Sequence, residues 1–275
     1  MKKKIGKGWL FILVVLPVSW IIQVLLFSGI VPAHLTGLYM FTPALVAFVF
    51  FMFSKKRFSD QKKLFSRRTG IWPWVFAFCY PIVWYGIVVL LAIVTGLGTF
   101  DASFASQIFT PSFLSMLALV LITMLISVFG EEYGWRGFLL PELTKTYSRF
   151  WATCITGLVW GVWHIPSYFI IYKNSNMGNP YLLTTIGVIN VSVGAFAYSY
   201  IFYMNQNVLP SVLLHAMYDI MGSRVMLGSP AIPGVTEAVP GCLVSIYWPH
   251  AMGLIITTGI AAAILFTRLF SREQQ

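Results

Sequence analysis

Between Trp9 and Phe270 the chain is a succession of apolar runs, most of them about twenty residues long, divided by short polar or basic breaks. No other feature restricts the fold as much. A hydrocarbon core ~30 Å thick is crossed by a helix of about 20 apolar residues. Within that core, only helices and closed barrels satisfy their own backbone hydrogen bonds. Barrel strands alternate apolar and polar residues, and these runs do not. The expected fold is all-α, a bundle of about eight transmembrane helices forming a single membrane domain over residues 1–275. Composition agrees, with 58% hydrophobic and only 9% charged residues, against roughly 25% charged in a soluble domain.

The runs place spans at about Trp9–Ile30, Leu35–Phe53, Ile71–Gly96, Pro111–Pro141, Phe150–Tyr172, Tyr181–Met204, Val208–Met226 and Ile246–Phe270. The first run follows Lys2, Lys3, Lys4 and Lys7. It exceeds the 7–15 apolar residues of a signal peptide, so it reads as a retained span. Segments 54–70 and 228–241 read as loops. Cys79, Cys154 and Cys242 form no CxxC, so neither a disulfide framework nor a thiolate zinc site is expected.

A net charge of +10 would suggest nucleic acid in a soluble protein. Here the charges follow membrane topology, and no nucleic-acid partner is expected. Eight spans put both termini on one side. That side would hold sixteen of the eighteen Lys and Arg: four ahead of the first span, seven in segment 54–70, then Arg136, Lys145, Arg149, Arg268 and Arg272. Lys173 and Arg224 fall on the other side. The positive-inside rule makes the favoured side cytoplasmic, which implies a multi-pass protein of the cell membrane with both termini inside.

Against this apolar background stands Ser127-Val-Phe-Gly-Glu-Glu-Tyr-Gly-Trp-Arg-Gly-Phe-Leu-Leu-Pro141. Each ionised side chain at membrane depth costs about 2.5–3.5 kcal/mol on insertion scales, so Glu131, Glu132 and Arg136 together need a reason. Glu132 and Arg136 are helical i,i+4 neighbours in the favourable acid-before-base order and can neutralise each other. Glu131 lies about 100° round the helix with no local partner. It reads as the chemical group, with Glu132–Arg136 as its brace.

Of four histidines, His164 and His215 fall deep in spans, whereas His34 and His250 lie at span ends. Asp219, the one Asp within a span, is i,i+4 from His215 and shares its helix face. Glu131, Glu132, Arg136, His164, His215 and Asp219 thus come from three spans and are expected to meet around a polar cavity open to the cytoplasm. Trp160 shares a face with His164 and reads as packing on its imidazole. Such a set can activate water and donate to an oxyanion. Glu131, His164, His215 and Asp219 would equally make an N/O set for zinc with an open water position, although no HExxH helix is present. A proton relay in a transporter and a purely structural ion-pair network use the same residue types.

These residues resemble the motifs of the CPBP family, which comprises the type II CAAX prenyl proteases and the bacteriocin-processing and immunity-associated (Abi) membrane proteins. Glu131-Glu132-Tyr-Gly-Trp-Arg136 is similar to EExxxR. Trp160 and His164 stand where the pattern has FxxxH, and His215-Ala-Met-Tyr-Asp219 where it has HxxxN or HxxxD. The likeness covers about residues 112–226. It implies an intramembrane endopeptidase in which Glu131 and His164 activate water while His215 and Asp219 stabilise the tetrahedral intermediate, with Glu132 and Arg136 in support. It also implies a peptide or protein substrate, with or without a lipid anchor, and leaves both zinc-dependent and metal-free mechanisms open. The absence of HExxH favours no cofactor. Trp replaces Phe in the second motif, and Asp219 stands where Asn is common, so a neutral amide donor is missing at that position. The alternatives are a non-catalytic immunity or partner-binding protein on the same scaffold and a proton-coupled transporter.

Overall fold

The computed structural model describes residues 6–53, 57–66, 68–175, 178–226, 242–246 and 248–272. Lys2, Lys3, Lys4, Lys55, Lys56 and Arg67 of the basic segments, and the 228–241 segment read as a loop, lie outside the described residues. The chain is all-α and polytopic. Its helices are α1 (Lys7–Phe27), a 3-10 segment (Ala33–Phe41) leading into α2 (Thr42–Met52), α3 (Arg57–Ser66), α4 (Ile71–Val94) and α5 (Ala102–Gln107). They continue with α6 (Pro111–Gly134), α7 (Leu140–Thr144), α8 (Arg149–Trp163), α9 (Ile165–Lys173), α10 (Pro180–Asn205), α11 (Val208–Ile220) and α12 (Trp248–Arg272).

Among the described residues, six helical stretches are long and apolar enough to cross a membrane, and a seventh is added if α8 and α9, bent by 41°, count as one span. This corrects the expectation of eight. The helix expected at Val208–Met226 is a 13-residue α11, by itself short of the ~20 residues of a straight crossing, continued by a π-helical segment Met221–Met226. Segment 54–70, read as a loop, contains α3. An antiparallel pairing of Gly98–Phe100 with Val244–Ile246 was also not expected, because three-residue strands leave no periodic trace in a sequence.

Burial is inverted relative to a soluble protein. Leu13, Ile21, Val83, Leu90, Leu119, Ile126 and Leu182 are exposed, as a lipid-facing surface requires. Ser19, Gln23, Thr42, Glu131, Glu132, Arg136, Thr153, Thr156, His164 and Ser167 are buried. Apolar contact brings no net gain against lipid tails, so small residues and polar contacts organise the bundle. Gly130 and Gly134 press on the backbone of Met40, Phe41 and Pro43, where an added Cβ would meet atoms at 2.4–2.8 Å. Gly157 and Gly161 press likewise on Ser192 O and Val188 O of α10, at 2.6 and 2.5 Å. These two small-xxx-small steps bring the acidic helix and the first histidine helix against their neighbours. The α11 helix packs on α6 and α4, and α10 packs on α8 and α12.

Candidate active site

Helix α6 begins with Pro111 at its first turn and the Thr110 hydroxyl accepting from Phe113 N, an arrangement suited to orphan N–H groups. At its far end the backbone widens into a π-turn, Trp135–Leu139, in which Leu140 N–H reaches back to Trp135 O. Pro141 follows and has no N–H to donate. The widened turn keeps the helix running and presents Glu131, Glu132 and Arg136 to the interior.

Glu132 is the hub of a buried network. Its Oε1 accepts from Arg136 Nη1 at 2.9 Å and from His215 Nδ1 at 2.9 Å, 83 residues further along. Arg136 is fully buried, and its guanidinium lies 4.3 Å from the Trp160 ring centroid and 4.6 Å from that of Tyr198. A desolvated cation over two aromatic faces gains about 2 kcal/mol or more, and guanidinium stacks well on aromatic planes. The same two rings meet His215 edge-on, at 5.2 and 5.3 Å between centroids. The Glu132–Arg136 ion pair expected from the sequence is present, and its carboxylate also contacts His215.

Glu131 does find a partner, but a distant one. Its Oε2 accepts from Trp160 Nε1 at 2.6 Å, across 29 residues. The packing expected between Trp160 and the His164 imidazole is loose and tilted, at 6.1 Å between centroids. The indole N–H is the more telling group, and nothing in the sequence spacing pointed to it. His164 Nδ1 lies 2.9 Å from Trp160 O. A carbonyl only accepts, which assigns the proton to Nδ1 and leaves Nε2 as the acceptor. Tyr168 stacks on the His164 ring at 4.8 Å, and Trp163 meets it edge-on at 4.6 Å. His215 Nε2 lies 3.7 Å from Asp219 Oδ2, and the Asp219 side chain is 35% exposed.

The four residues expected to carry chemistry line one cleft of about 210 Å³. Glu131, His164, His215 and Asp219 are joined there by Trp160, Tyr39, Tyr168, Asn190, Tyr198 and Tyr218. Glu132 and Arg136 lie behind this wall. Among the described residues, no group of three or more His, Cys, Asp or Glu stands where it could hold a metal ion. His164 and His215 each pair Nδ1 with a neighbouring oxygen. Cys79, Cys154 and Cys242 are free thiols.

Residues 112–221 match the family model described as Type II CAAX prenyl endopeptidase Rce1-like. The chain is also 30% identical over 144 residues to CAAX prenyl protease 2 of Methanococcus maripaludis. That alignment covers 49% of this chain and 53% of the relative, so the chain spans about half the length of the curated protein it matches. All three motifs fall inside the family match.

Proposed function

We propose that this chain, whose residues 112–221 match the Rce1-like type II CAAX prenyl endopeptidase model, cleaves peptide bonds within the membrane by glutamate-activated water. One observation carries this reading. Glu131 from α6, His164 from the α8–α9 break, and His215 and Asp219 from α11 line a single cleft with a buried ion network behind it. Glu131 takes a proton from water, and the resulting hydroxide attacks the scissile carbonyl. The Trp160 N–H, 2.6 Å from Oε2, keeps that carboxylate turned into the cleft. His164 Nε2, freed as an acceptor by the Nδ1 contact to Trp160 O, orients the water.

Negative charge then develops on the former carbonyl oxygen. A proton carried on His215 Nε2 or on the Asp219 carboxyl, whose facing atoms stand 3.7 Å apart at the cleft, supplies the hydrogen bond that this oxyanion needs. An ionised Asp219 alone would repel it. Collapse of the tetrahedral intermediate breaks the C–N bond, and the proton taken by Glu131 goes to the leaving amine. The substrate class that fits is an extended peptide, with or without a prenyl anchor, entering from the cytoplasmic side. That orientation is our reading of the Lys and Arg ahead of α1, in segment 54–70 and between α6 and α8, with the chain in the cell membrane and the N-terminus inside.

The test is cleavage of a farnesylated CAAX peptide and its unprenylated counterpart by the purified protein in detergent or lipid nanodiscs. Release of the C-terminal fragment supports the reading, and preference between the two peptides reports on the lipid. No cleavage of either, or of a peptide library, would favour a non-catalytic role. Proton-coupled flux in liposomes would favour transport. Full activity after chelation is expected, and stoichiometric zinc with chelator-sensitive turnover would contradict the metal-free mechanism.

A further inference from the structure

His164 sits at the break between α8 and α9, and the break has a covalent cause. Pro166 has no N–H to return to Val162 O. The 41° bend parts the next pair as well, because in a straight helix Ser167 N–H would bond to Trp163 O. In a span each unsatisfied backbone group costs several kcal/mol. Here α1 supplies the missing partners. Trp20 Nε1 donates to Val162 O at 3.2 Å. Gln23 Nε2 donates to Trp163 O at 2.9 Å, and Gln23 Oε1 accepts from Ser167 N at 3.1 Å. One amide is therefore inserted between the donor and acceptor of a single opened helical bond.

Gln23 is 0% exposed, and a buried amide in an apolar helix is costly unless both ends are paired. Both ends are paired, and both to the turn that carries His164. Trp20 stands three residues away on the same face of α1. The far side of the break is closed by the chain itself, through His164 N to Gly161 O and Ser167 Oγ to His164 O at 3.0 Å. We propose that Gln23, assisted by Trp20, is a positioning residue that clamps the broken span and so sets where the His164 imidazole stands in the cleft. The inference rests on the reading of His164 as the group that orients the attacking water. Gln23 itself touches no reacting atom.

Two measurements on the full chain test it. In hydrogen–deuterium exchange, Gln23→Met keeps the side-chain length without its hydrogen bonds. The amides of Ser167 and Tyr168 should then exchange at least about tenfold faster, with α6 and α11 unchanged. In cleavage of the farnesylated peptide, the same variant should lower kcat by about tenfold with KM within about twofold, the signature of misplacement rather than lost binding. Gln23→Glu, which retains the acceptor for Ser167 N–H, should recover part of both effects. Trp20→Phe should give a smaller change of the same kind, and keeps the test open if Gln23→Met does not fold. Unchanged exchange at the break, uniform loosening of the whole bundle, or a loss confined to KM would overturn the proposal. A wild-type chain that cleaves nothing would instead remove the reading of His164, while exchange at the break would still decide the clamp.

Discussion

His164 and His215 line the same cleft, yet the two regions that present them are built on opposite principles. The His164 region is a fractured span whose backbone is mended by neutral hydrogen bonds, two of them to a single amide from α1. The His215 region is an unbroken helix, and the imidazole is held by a carboxylate that also neutralises a buried guanidinium. In the first, proline geometry creates the need for partners. In the second, the need comes from desolvated charge. The comparison teaches that a membrane interior can fix an imidazole either by satisfying backbone or by balancing charge, and that the two means should fail differently.

The largest expected effect falls on the group between the two regions. Glu131→Gln keeps the shape and should lower kcat by about 10³- to 10⁴-fold, the upper range for loss of a general base, while the melting profile stays close to wild type. Turnover within tenfold of wild type would take Glu131 out of the mechanism. The charge-balanced region should break next. Glu132→Gln leaves Arg136 uncompensated in the interior, and the expected loss of unfolding free energy is about 3–5 kcal/mol. Adding Arg136→Met should restore a good part of it, and strict additivity in that double-mutant cycle would deny the pair its role.

A smaller effect is expected where the neutral region touches the carboxylate. Trp160→Phe, the residue that the family pattern has at this position, removes the N–H donated to Glu131 and leaves a smaller ring beside Arg136 and His215. A hydrogen bond to a charged group contributes about 1.5–3 kcal/mol, so kcat should fall by about tenfold or somewhat more, with little change in thermal stability. An equal loss of stability and turnover would mean that the indole serves packing alone. The smallest change is expected from Asp219→Asn, within about threefold of wild-type turnover, because an amide N–H can replace a protonated carboxyl as oxyanion donor. A hundredfold loss would show that the carboxylate orients His215 in a way that an amide cannot.

Much of this was legible because lipid makes the sequence speak plainly. Glu131, Glu132, Arg136, His164, His215 and Asp219 stood out as ionisable groups in apolar runs, and all but the brace pair line the cleft. The brace itself was readable because i,i+4 neighbours on one helix turn must meet. Trp160 was noticed for its ring, which does meet His164, and not for its N–H. Its bond to Glu131 depends on how α8 lies against α6, which no local spacing encodes. Gln23 gave only the signal of a lone amide in an apolar run, and its partners lie 140 and 144 residues away. The expected seventh span misled because apolar length counts residues and cannot see where an α-helix yields to a π-turn.

By itself, the sequence determined that this chain must be a helical membrane bundle and that its few buried charges are confined to three helices. Both follow from local quantities: the transfer cost of each side chain and the fixed rise and turn of a helix. Tertiary structure alone decided that Glu131 meets the Trp160 N–H, that Glu132 reaches His215, and that α1 mends the break beside His164. Those outcomes rest on contacts between segments far apart in the chain, where small-residue packing sets the approach of the helices and each stranded polar group takes the nearest partner the approach allows.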